Sequence, residues 1–306
     1  MSTADLFQIL CASIGPENAR SAILDEWRFN KDVRIVDELV SLLAEEDPKG
    51  PMWRTRVEVL AEMGSELLPV LLPFLGHDNC LIRQGVACVL GKIGQPAVPL
   101  LLKARQDKDW KMRDGAVQAL GRISDPSLVP CLVESVNDED SNVLESALWA
   151  LGEVKNSGGA RHLIEALENP RQEVRHYAAF VVGEFKVQEG VDGLIKALGD
   201  TAPSVRAEAA WALGDLGDSR AVEPLIELFL RENEVLPEAD IPVVEAHKQP
   251  SFPNMVAHSF AAQSLGRIGG ARAVEFLTQA LSSKTARTRA TAGAALERSR
   301  SPEARC

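Results

Sequence analysis

The sequence predicts an all-α protein whose helices stack into an α-α superhelix. A glycine that ends an apolar run recurs every 30 or 31 residues, as Gly91, Gly121, Gly152, Gly183 and Gly214. Each of these glycines closes a variant of one pattern, Val-Arg-x-x-Ala-Ala-x-x-Leu-Gly, after which come a polar break and a second apolar run. Aromatic residues make up only 5% of the chain, and Leu and Ala dominate, which favours helix throughout. A period of this length with two helical segments is typical of a solenoid.

Residues 200–230 show why each repeat is expected to form two helices. Residues 205–216 place apolar side chains at helical spacing, and Gly217 with Asp218 then interrupts the pattern. Residues 221–230 form the second helix, with Pro224 in its first turn, where proline is tolerated. The same layout fits residues 81–104, 112–136, 143–167, 174–198 and 259–281, with degenerate copies at 53–75 and 288–297. We therefore expect about eight two-helix repeats of ~31 residues.

The ends of the array and one long spacing define its domain organisation. Residues 1–50 lack the pattern but contain helical stretches, so we predict a helical N-terminal cap followed by a continuous repeat array over residues 51–306. Gly214 and Gly266 are 52 residues apart, which places an insertion at residues 231–254. The four prolines of this segment exclude a regular helix across it. Such an insertion is either a functional loop or a tolerated surface addition.

The repeats resemble HEAT repeats of the short kind known as PBS-lyase HEAT-like repeats, over about residues 51–300. The resemblance implies stacked helix pairs. It does not assign a function, because similar proteins include chromophore lyase subunits, a protein hydroxylase and plain scaffolds. The hydroxylase holds a di-iron centre with repeated His-Glu pairs, whereas the nearest equivalent here is His176-Tyr177. We therefore do not expect that activity.

The resemblance also implies a role for an arginine that lies eight residues before the glycine. This slot holds Arg83, Arg113, Arg175, Arg206 and Arg289. In similar repeats this arginine joins a ladder with aspartates of the preceding turn, for which Asp78, Asp109 and Asp200 are the candidates here. Leu144 and His258 occupy the slot in two repeats and interrupt the ladder.

Composition limits the classes of partner and cofactor. The formal net charge of −11 disfavours nucleic acid, because the phosphate backbone is itself anionic. No basic leader is present and no apolar run approaches the roughly 20 residues of a membrane helix, so we expect a cytoplasmic protein without a membrane span. The five cysteines and five histidines show no ligand spacing, and we expect neither a cofactor nor a metal.

A candidate binding groove follows from the variable positions of the glycine-bearing helices, which in similar arrays line a concave face. The three central repeats carry a large aromatic residue three positions before the glycine and an acid one position after it. Nearby positions add a histidine, a tyrosine and a further glutamate. The predicted groove consists of Trp149, Glu153, His176, Tyr177, Phe180, Glu184, Glu208, Trp211 and Asp215. A ladder of rings edged by carboxylates suits a flat, apolar or cationic ligand, although the rings could instead fill space between helices.

Two functions remain open from the sequence. The first is a non-enzymatic scaffold that binds a protein or peptide partner along the predicted groove, with no catalytic residue. The alternative, implied by the resemblance, is a phycobilin lyase subunit or a related tetrapyrrole-binding protein. In that case His176 and Tyr177 would contact the chromophore, although no cysteine lies near them in the repeat.

Overall fold

The computed structural model describes residues 16–44, 48, 50–155, 158–235 and 257–299. These residues form helices joined by turns and bends, with no β-strand among them, which confirms the predicted fold class. By its contacts the chain divides into two compact units, an N-terminal unit, Met1–Ser157, and a C-terminal unit, Gly158–Cys306.

The N-terminal unit contains nine α-helices within its described residues. They are α1 (Pro16–Asn30), α2 (Val33–Ser41), α3 (Pro51–Glu62), α4 (Leu68–Leu71), α5 (Cys80–Ile93), α6 (Val98–Ala104), α7 (Trp110–Ile123), α8 (Val129–Ser135) and α9 (Ser141–Glu153). The helices α3, α5, α7 and α9 are the first helices of their repeats, and each packs against the next of them. The second helices α6 and α8 pack against α7 and α9 respectively.

The C-terminal unit repeats this arrangement. Its described helices are α10 (Gly159–Ala166), α11 (Gln172–Glu184), α12 (Val191–Ala197), α13 (Pro203–Leu216), α14 (Val222–Val235), α15 (Ala257–Ile268), α16 (Ala271–Ala280) and α17 (Ala286–Glu297). The first helices α11, α13, α15 and α17 pack in sequence, and the second helices α10, α12, α14 and α16 each pack against the first helix that follows.

Short local signals define where the first helices begin and end. The side chains of Asn79, Asp109 and Asp140 accept a hydrogen bond from the backbone N–H two residues later and so cap α5, α7 and α9. At the other end, Gly94 and Gly217 have φ values of 78° and 72°, a conformation that glycine adopts without strain. The polar breaks read from the sequence are therefore helix caps.

The recurring glycine marks the place where neighbouring first helices approach most closely. In α5, α7, α9, α11 and α13 it is the twelfth residue of the helix. A Cβ atom on Gly121 would lie 2.9 Å from the Cα atom of Ala150, and one on Gly183 would lie 3.0 Å from the Cα atom of Ala212. Any side chain here would push two backbones apart, so the glycine sets the spacing of the stack.

The arginine slot joins consecutive repeats. Nη1 of Arg175 donates to the carbonyl oxygens of Asn169 and Pro170, in the turn before its own helix, at 2.8 and 3.1 Å. Its Nε and Nη2 donate to the carboxylate of Asp200, in the turn of the next repeat, at 2.6 and 2.9 Å. The same arrangement joins Arg113 to Asp138. Arg206 also donates to two carbonyl oxygens of the turn before its helix, but its carboxylate partner, Glu232, lies on α14 and accepts one hydrogen bond, from Nε.

The predicted ladder partners were therefore wrong in direction. The preceding turn supplies only backbone carbonyls, and the carboxylate comes from 25 or 26 residues later, in the following turn or, for Arg206, on α14. The carboxylate of Asp109 instead caps α7, and that of Asp78 binds Lys111. Asp200 binds Arg175 of the repeat before it, whereas only its carbonyl oxygen accepts from Arg206.

Arg83 lacks this carboxylate, and a single substitution should supply it. Lys108 stands 25 residues after Arg83, where Asp138 and Asp200 stand after their arginines. Nε of Arg83 is buried and makes no hydrogen bond within the described part of the chain, and the nearest carboxylate oxygen, on Asp114, is 4.0 Å away. We expect Lys108→Asp to raise the free energy of unfolding by about 1 kcal/mol in urea titrations.

A control separates this effect from a general change of surface charge. Lys103→Asp makes the same charge change at an exposed position in the last turn of α6. It should lower stability slightly and not raise it, because an acid at this end of a helix opposes the helix dipole. Equal stability of Lys108→Asp and the wild type would show that Asp114 already compensates Arg83.

Part of the predicted domain organisation lies outside the described residues. The first five residues of the predicted insertion, 231–235, continue α14, and residues 236–254 are not among those described. Of the predicted N-terminal cap, residues 1–50, the structure describes residues 16–44, 48 and 50. No single described helix is long and apolar enough to cross a membrane, although the bent pairs Pro51–Glu62 with Ser65–Gly76 and Cys80–Ile93 with Gln95–Ala104 meet that test of length and composition together.

Candidate binding surface on the first helices

A cavity of about 370 Å³ lies on the first helices α5, α7 and α9 of the N-terminal unit. Its lining is mostly polar and consists of Cys80, Arg83, Gln84, Asp114, Gln118, Arg122, Asn142, Glu145, Ser146, Trp149, Ala150 and Glu153. Two members of the predicted groove, Trp149 and Glu153, are therefore part of this cavity. Trp149 is 38% exposed, unusually high for a tryptophan in a folded chain, and Glu153 is exposed as well.

The α9 wall of this cavity is an aromatic residue between two acids. Glu145, Trp149 and Glu153 are spaced four residues apart, which places them on one face of the helix. All three line the cavity. A ligand at this wall would meet a ring face or edge with a carboxylate one turn away on either side.

The helix α7 contributes a buried carboxylate to the cavity, which sequence reasoning missed. Asp114 is only 4% exposed, and its carboxylate accepts hydrogen bonds from Oγ of Ser146 at 2.6 Å and from Nε2 of Gln118 at 3.0 Å. Burial raises the pKa of Asp114, while these hydrogen bonds and Arg83 lower it. The available signal was its position directly after the slot residue Arg113, inside an apolar helix.

In the C-terminal unit, an arginine of the chain itself covers the Trp211 ring. The guanidinium carbon of Arg267 lies 3.4 Å from the centroid of that ring, and Nη1 of Arg267 donates to Oδ1 of Asp215 at 2.7 Å. The edge of Phe260 contacts the same ring, with centroids 5.4 Å apart. Trp211 and Asp215 thus already hold a cation, so the open aromatic ladder expected here is occupied at this step. The sequence shows that Arg267 occupies the position equivalent to Asp215 in the next repeat. It does not show that Arg267 contacts Trp211 and Asp215.

Glu208 is the most perturbed acid of the predicted groove. Its pKa is raised from 4.5 to about 7, first by burial and then by the negative charges of Glu184 and Asp215. Glu208 is half-buried on α13, and Glu184 is exposed at the end of α11. Close to neutral pH this carboxyl group is therefore partly protonated, unlike an ordinary surface glutamate.

The remaining members of the predicted groove lie along α11. His176 and Tyr177 contact each other edge to face, with ring centroids 5.4 Å apart, and Nδ1 of His176 lies 3.4 Å from the carbonyl oxygen of Ser204. Burial lowers the pKa of His176, so its ring is neutral at pH 7. Phe180, like these two residues, is half-buried. Whether these side chains contact a ligand stays a prediction.

Metal ligation has no candidate among the residues that the structure describes, because no three His, Cys, Asp or Glu side chains are grouped there closely enough. His258, in the arginine slot of α15, is fully buried, and neither of its ring nitrogens forms a hydrogen bond to the residues that the structure describes. Burial lowers its pKa to about 4, and the charge of Arg287 acts in the same direction. This histidine is a neutral core residue that interrupts the arginine ladder.

The helices, the glycine register and the arginine slot define an α-solenoid of two-helix repeats. The family model for HEAT repeats matches residues 36–110, 97–170 and 160–239, and the model for the PBS lyase HEAT-like repeat matches residues 259–283. The chain belongs to the HEAT-repeat family. None of the curated proteins compared with the chain matches it.

The chain is similar to several solved structures at low sequence identity. Kap121p is 13% identical, with a TM-score of 0.50 over 96% of this chain and 37% of its own. The complex of CpcE and CpcF of phycocyanin lyase from Nostoc sp. PCC7120 is 20% identical over 48% of this chain and 98% of its own, with a TM-score of 0.41. Human deoxyhypusine hydroxylase is 21% identical over 86% and 95%, with a TM-score of 0.34. At 13% identity the similarity to Kap121p bears on the fold alone.

Proposed function

We propose that the chain is a non-enzymatic scaffold that binds a protein or peptide partner on its first helices. The observation that carries the proposal is the cavity of the N-terminal unit, in which the exposed ring of Trp149 stands beside Glu153. Aromatic side chains at the centre of a contact surface contribute much of the binding energy of protein interfaces. Solenoids of stacked repeats present extended surfaces for such partners.

The lining of the cavity supports a peptide over a small apolar ligand. The carboxamides of Gln84, Gln118 and Asn142 provide donors and acceptors of the kind that pair with a peptide backbone. Trp211 is not included in the proposed contact surface, because Arg267 covers its ring face. The binding energy is therefore assigned to Trp149 and its neighbours.

Selection from a phage-displayed library of random peptides tests this function. The wild-type chain is the target, and the double variant Trp149→Ala/Glu153→Lys is the counter-selection. We expect to recover peptides that bind the double variant about 30-fold more weakly, which corresponds to ~2 kcal/mol. Peptides that bind both proteins equally, or a selection that recovers none, would contradict the proposal.

A matched control checks that the loss is local. Glu139→Gln changes an exposed carboxylate in the turn before α9, and it should leave the affinity of the recovered peptides unchanged. Circular dichroism of each variant verifies that the helical fold is retained.

A further inference from the structure

A buried arginine on α5, at the edge of the cavity, has hydrogen-bond donors that the described chain does not use. Nη1 of Arg83 donates to the carbonyl oxygens of His77 and Asp78 at 2.9 and 3.1 Å. Its Nε and Nη2 donate to none of the residues that the structure describes, although Arg83 is only 9% exposed. In the slots of Arg113 and Arg175 both of these nitrogens donate to a carboxylate. Buried donors normally have a partner, so we looked for an acceptor that could reach Arg83 from the cavity.

A buried acceptor lies directly beside this arginine. Oδ2 of Asp114, on α7, is 4.0 Å from Nε of Arg83, which is too far for a hydrogen bond. The Asp114 carboxylate accepts from Oγ of Ser146 through Oδ1 and from Nε2 of Gln118 through both oxygens. Each carboxylate oxygen can accept about two hydrogen bonds, so Oδ2 can take one more. Because Arg83 and Asp114 both line the cavity, a group that enters it meets a donor and an acceptor side by side.

The two opposite charges at this point select a neutral group. Asp114 would repel a carboxylate of the partner, and Arg83 would repel an ammonium or guanidinium group. A single backbone peptide group cannot serve both, because its N–H and C=O point in opposite directions. A primary carboxamide carries its acceptor oxygen and its N–H donors on the same carbon atom. It can therefore accept from Arg83 and donate to Asp114 at the same time.

We propose that the partner inserts a glutamine side chain into the cavity, where its carboxamide accepts a hydrogen bond from Nη2 of Arg83 and donates one to Oδ2 of Asp114. The proposal rests on the proposed function and names the side chain that the partner contributes. Arg83 and Asp114 are 9% and 4% exposed, so a long side chain reaches them more readily than a short hydroxyl or asparagine side chain does. A cavity of about 370 Å³ is large enough for such a side chain.

Both contact groups are held in place by the chain before a partner binds. The guanidinium of Arg83 is fixed by the two carbonyl oxygens of the preceding turn, and its carbon atom lies 5.4 Å from the centroid of the Trp110 ring. The carboxylate of Asp114 is fixed by Ser146 and Gln118. Groups that are ordered in advance lose little conformational entropy on binding. We therefore expect this pair to discriminate strongly between a carboxamide and groups of similar shape.

The experiment uses the peptides that the phage selection recovers. Each glutamine of a peptide is replaced in turn by glutamate, which keeps the shape but exchanges the N–H donors for a charge, and by methionine, which keeps the length but removes the carboxamide. We expect one glutamine at which either replacement weakens binding to the wild-type chain about tenfold or more. Asp114→Asn should bind the glutamate peptide about tenfold more tightly than the wild type does, because the repulsion between two carboxylates is removed.

Lys108→Asp tests the role of Arg83 without changing the lining of the cavity, to which Lys108 does not belong. The new carboxylate is expected to occupy Nε and Nη2 of Arg83, as Asp138 and Asp200 do in their slots. This variant should therefore bind the glutamine peptide about tenfold more weakly although its fold is stabilised. Lys103→Asp, with the same charge change, should leave the affinity unchanged. Unaltered binding by a stabilised Lys108→Asp chain would contradict the contact with Arg83.

The outcomes separate this inference from the proposed function. Recovered peptides that depend on Trp149 but contain no sensitive glutamine would overturn the inference and leave the peptide-binding function in place. The same holds for peptides whose sensitive residue carries a hydroxyl group or a charge. A selection that recovers no peptide would overturn both. The replacements of glutamine change only the peptide, so they keep the test valid if Asp114→Asn proves unstable.

Discussion

Replacing Arg175 by alanine is expected to lower the free energy of unfolding by about 3 kcal/mol. The side chains of Arg175 and Asp200 are only 15% and 10% exposed, and they are joined by two hydrogen bonds. Alanine would leave the Asp200 carboxylate buried with one backbone donor, from Ala202, and would leave two carbonyl oxygens of the preceding turn without a donor. Urea unfolding followed by circular dichroism measures the change.

An exposed ion pair in the same unit provides the control. Lys196 and Glu168 are 70% and 63% exposed, so Lys196→Ala should cost less than about 0.5 kcal/mol. A small effect of Arg175→Ala, equal to that of the control, would show that the ladder contributes nothing to stability.

The effect of Arg175→Ala should also depend on pH. The hydrogen bonds from Arg175 are the largest cause that lowers the pKa of Asp200 below its ordinary value of 3.8. As the pH falls, Asp200 therefore takes up its proton at a higher pH in the unfolded chain than in the folded chain. The stability that the pair of Arg175 and Asp200 contributes is fully present above about pH 4 and is lost as the pH falls through the folded pKa of Asp200. The difference between wild type and variant should accordingly shrink in acid.

Replacing Glu208 by glutamine is expected to raise the free energy of unfolding at pH 8 by about 2 kcal/mol. Burial raises the folded pKa of Glu208 from 4.5 to about 7, so between these values the folded chain holds a proton that the unfolded chain has lost. Glu208 therefore makes stability fall as the pH rises from about 4.5 to about 7. The lowered pKa of His258 acts in the opposite direction over an overlapping range, so the expected result is the difference in stability between the variant and the wild type, which should grow over this range. The full shift corresponds to about 3 kcal/mol, and we expect less because the side chain is only half-buried.

The comparison of two pH values makes this prediction specific. At pH 4.5 the variant and the wild type should unfold at nearly the same urea concentration, because both side chains are then largely uncharged. Glu184→Gln removes only a secondary cause of the shift and should retain most of the pH dependence. The exposed Glu189→Gln should change nothing. A difference in stability between the variant and the wild type that stays constant from pH 5 to pH 7 would contradict the buried carboxyl group.

The sequence alone was sufficient for the helices, their order and the glycine register. In a repeat array each unit contacts only its neighbours, so local patterns carry most of the structural information. Apolar spacing, capping residues and Gly121 or Gly183 at the close approach of two backbones could all be recognised without coordinates. The sequence also placed Trp149 and Glu153 on one helix face, and the structure adds that this face borders a cavity.

The tertiary structure decided which side chains meet between repeats. Arg175 could pair with a carboxylate before or after it in the chain, and only the packing of consecutive turns selects Asp200, 25 residues later. Arg267 reaches Asp215 from 52 residues away, across a break in the period that removes any fixed spacing. The raised pKa of Glu208 likewise depends on burial and on two other acids, Glu184 on α11 and Asp215 on α13. Such contacts depend on the distance and orientation of neighbouring helices, which sequence periodicity does not specify.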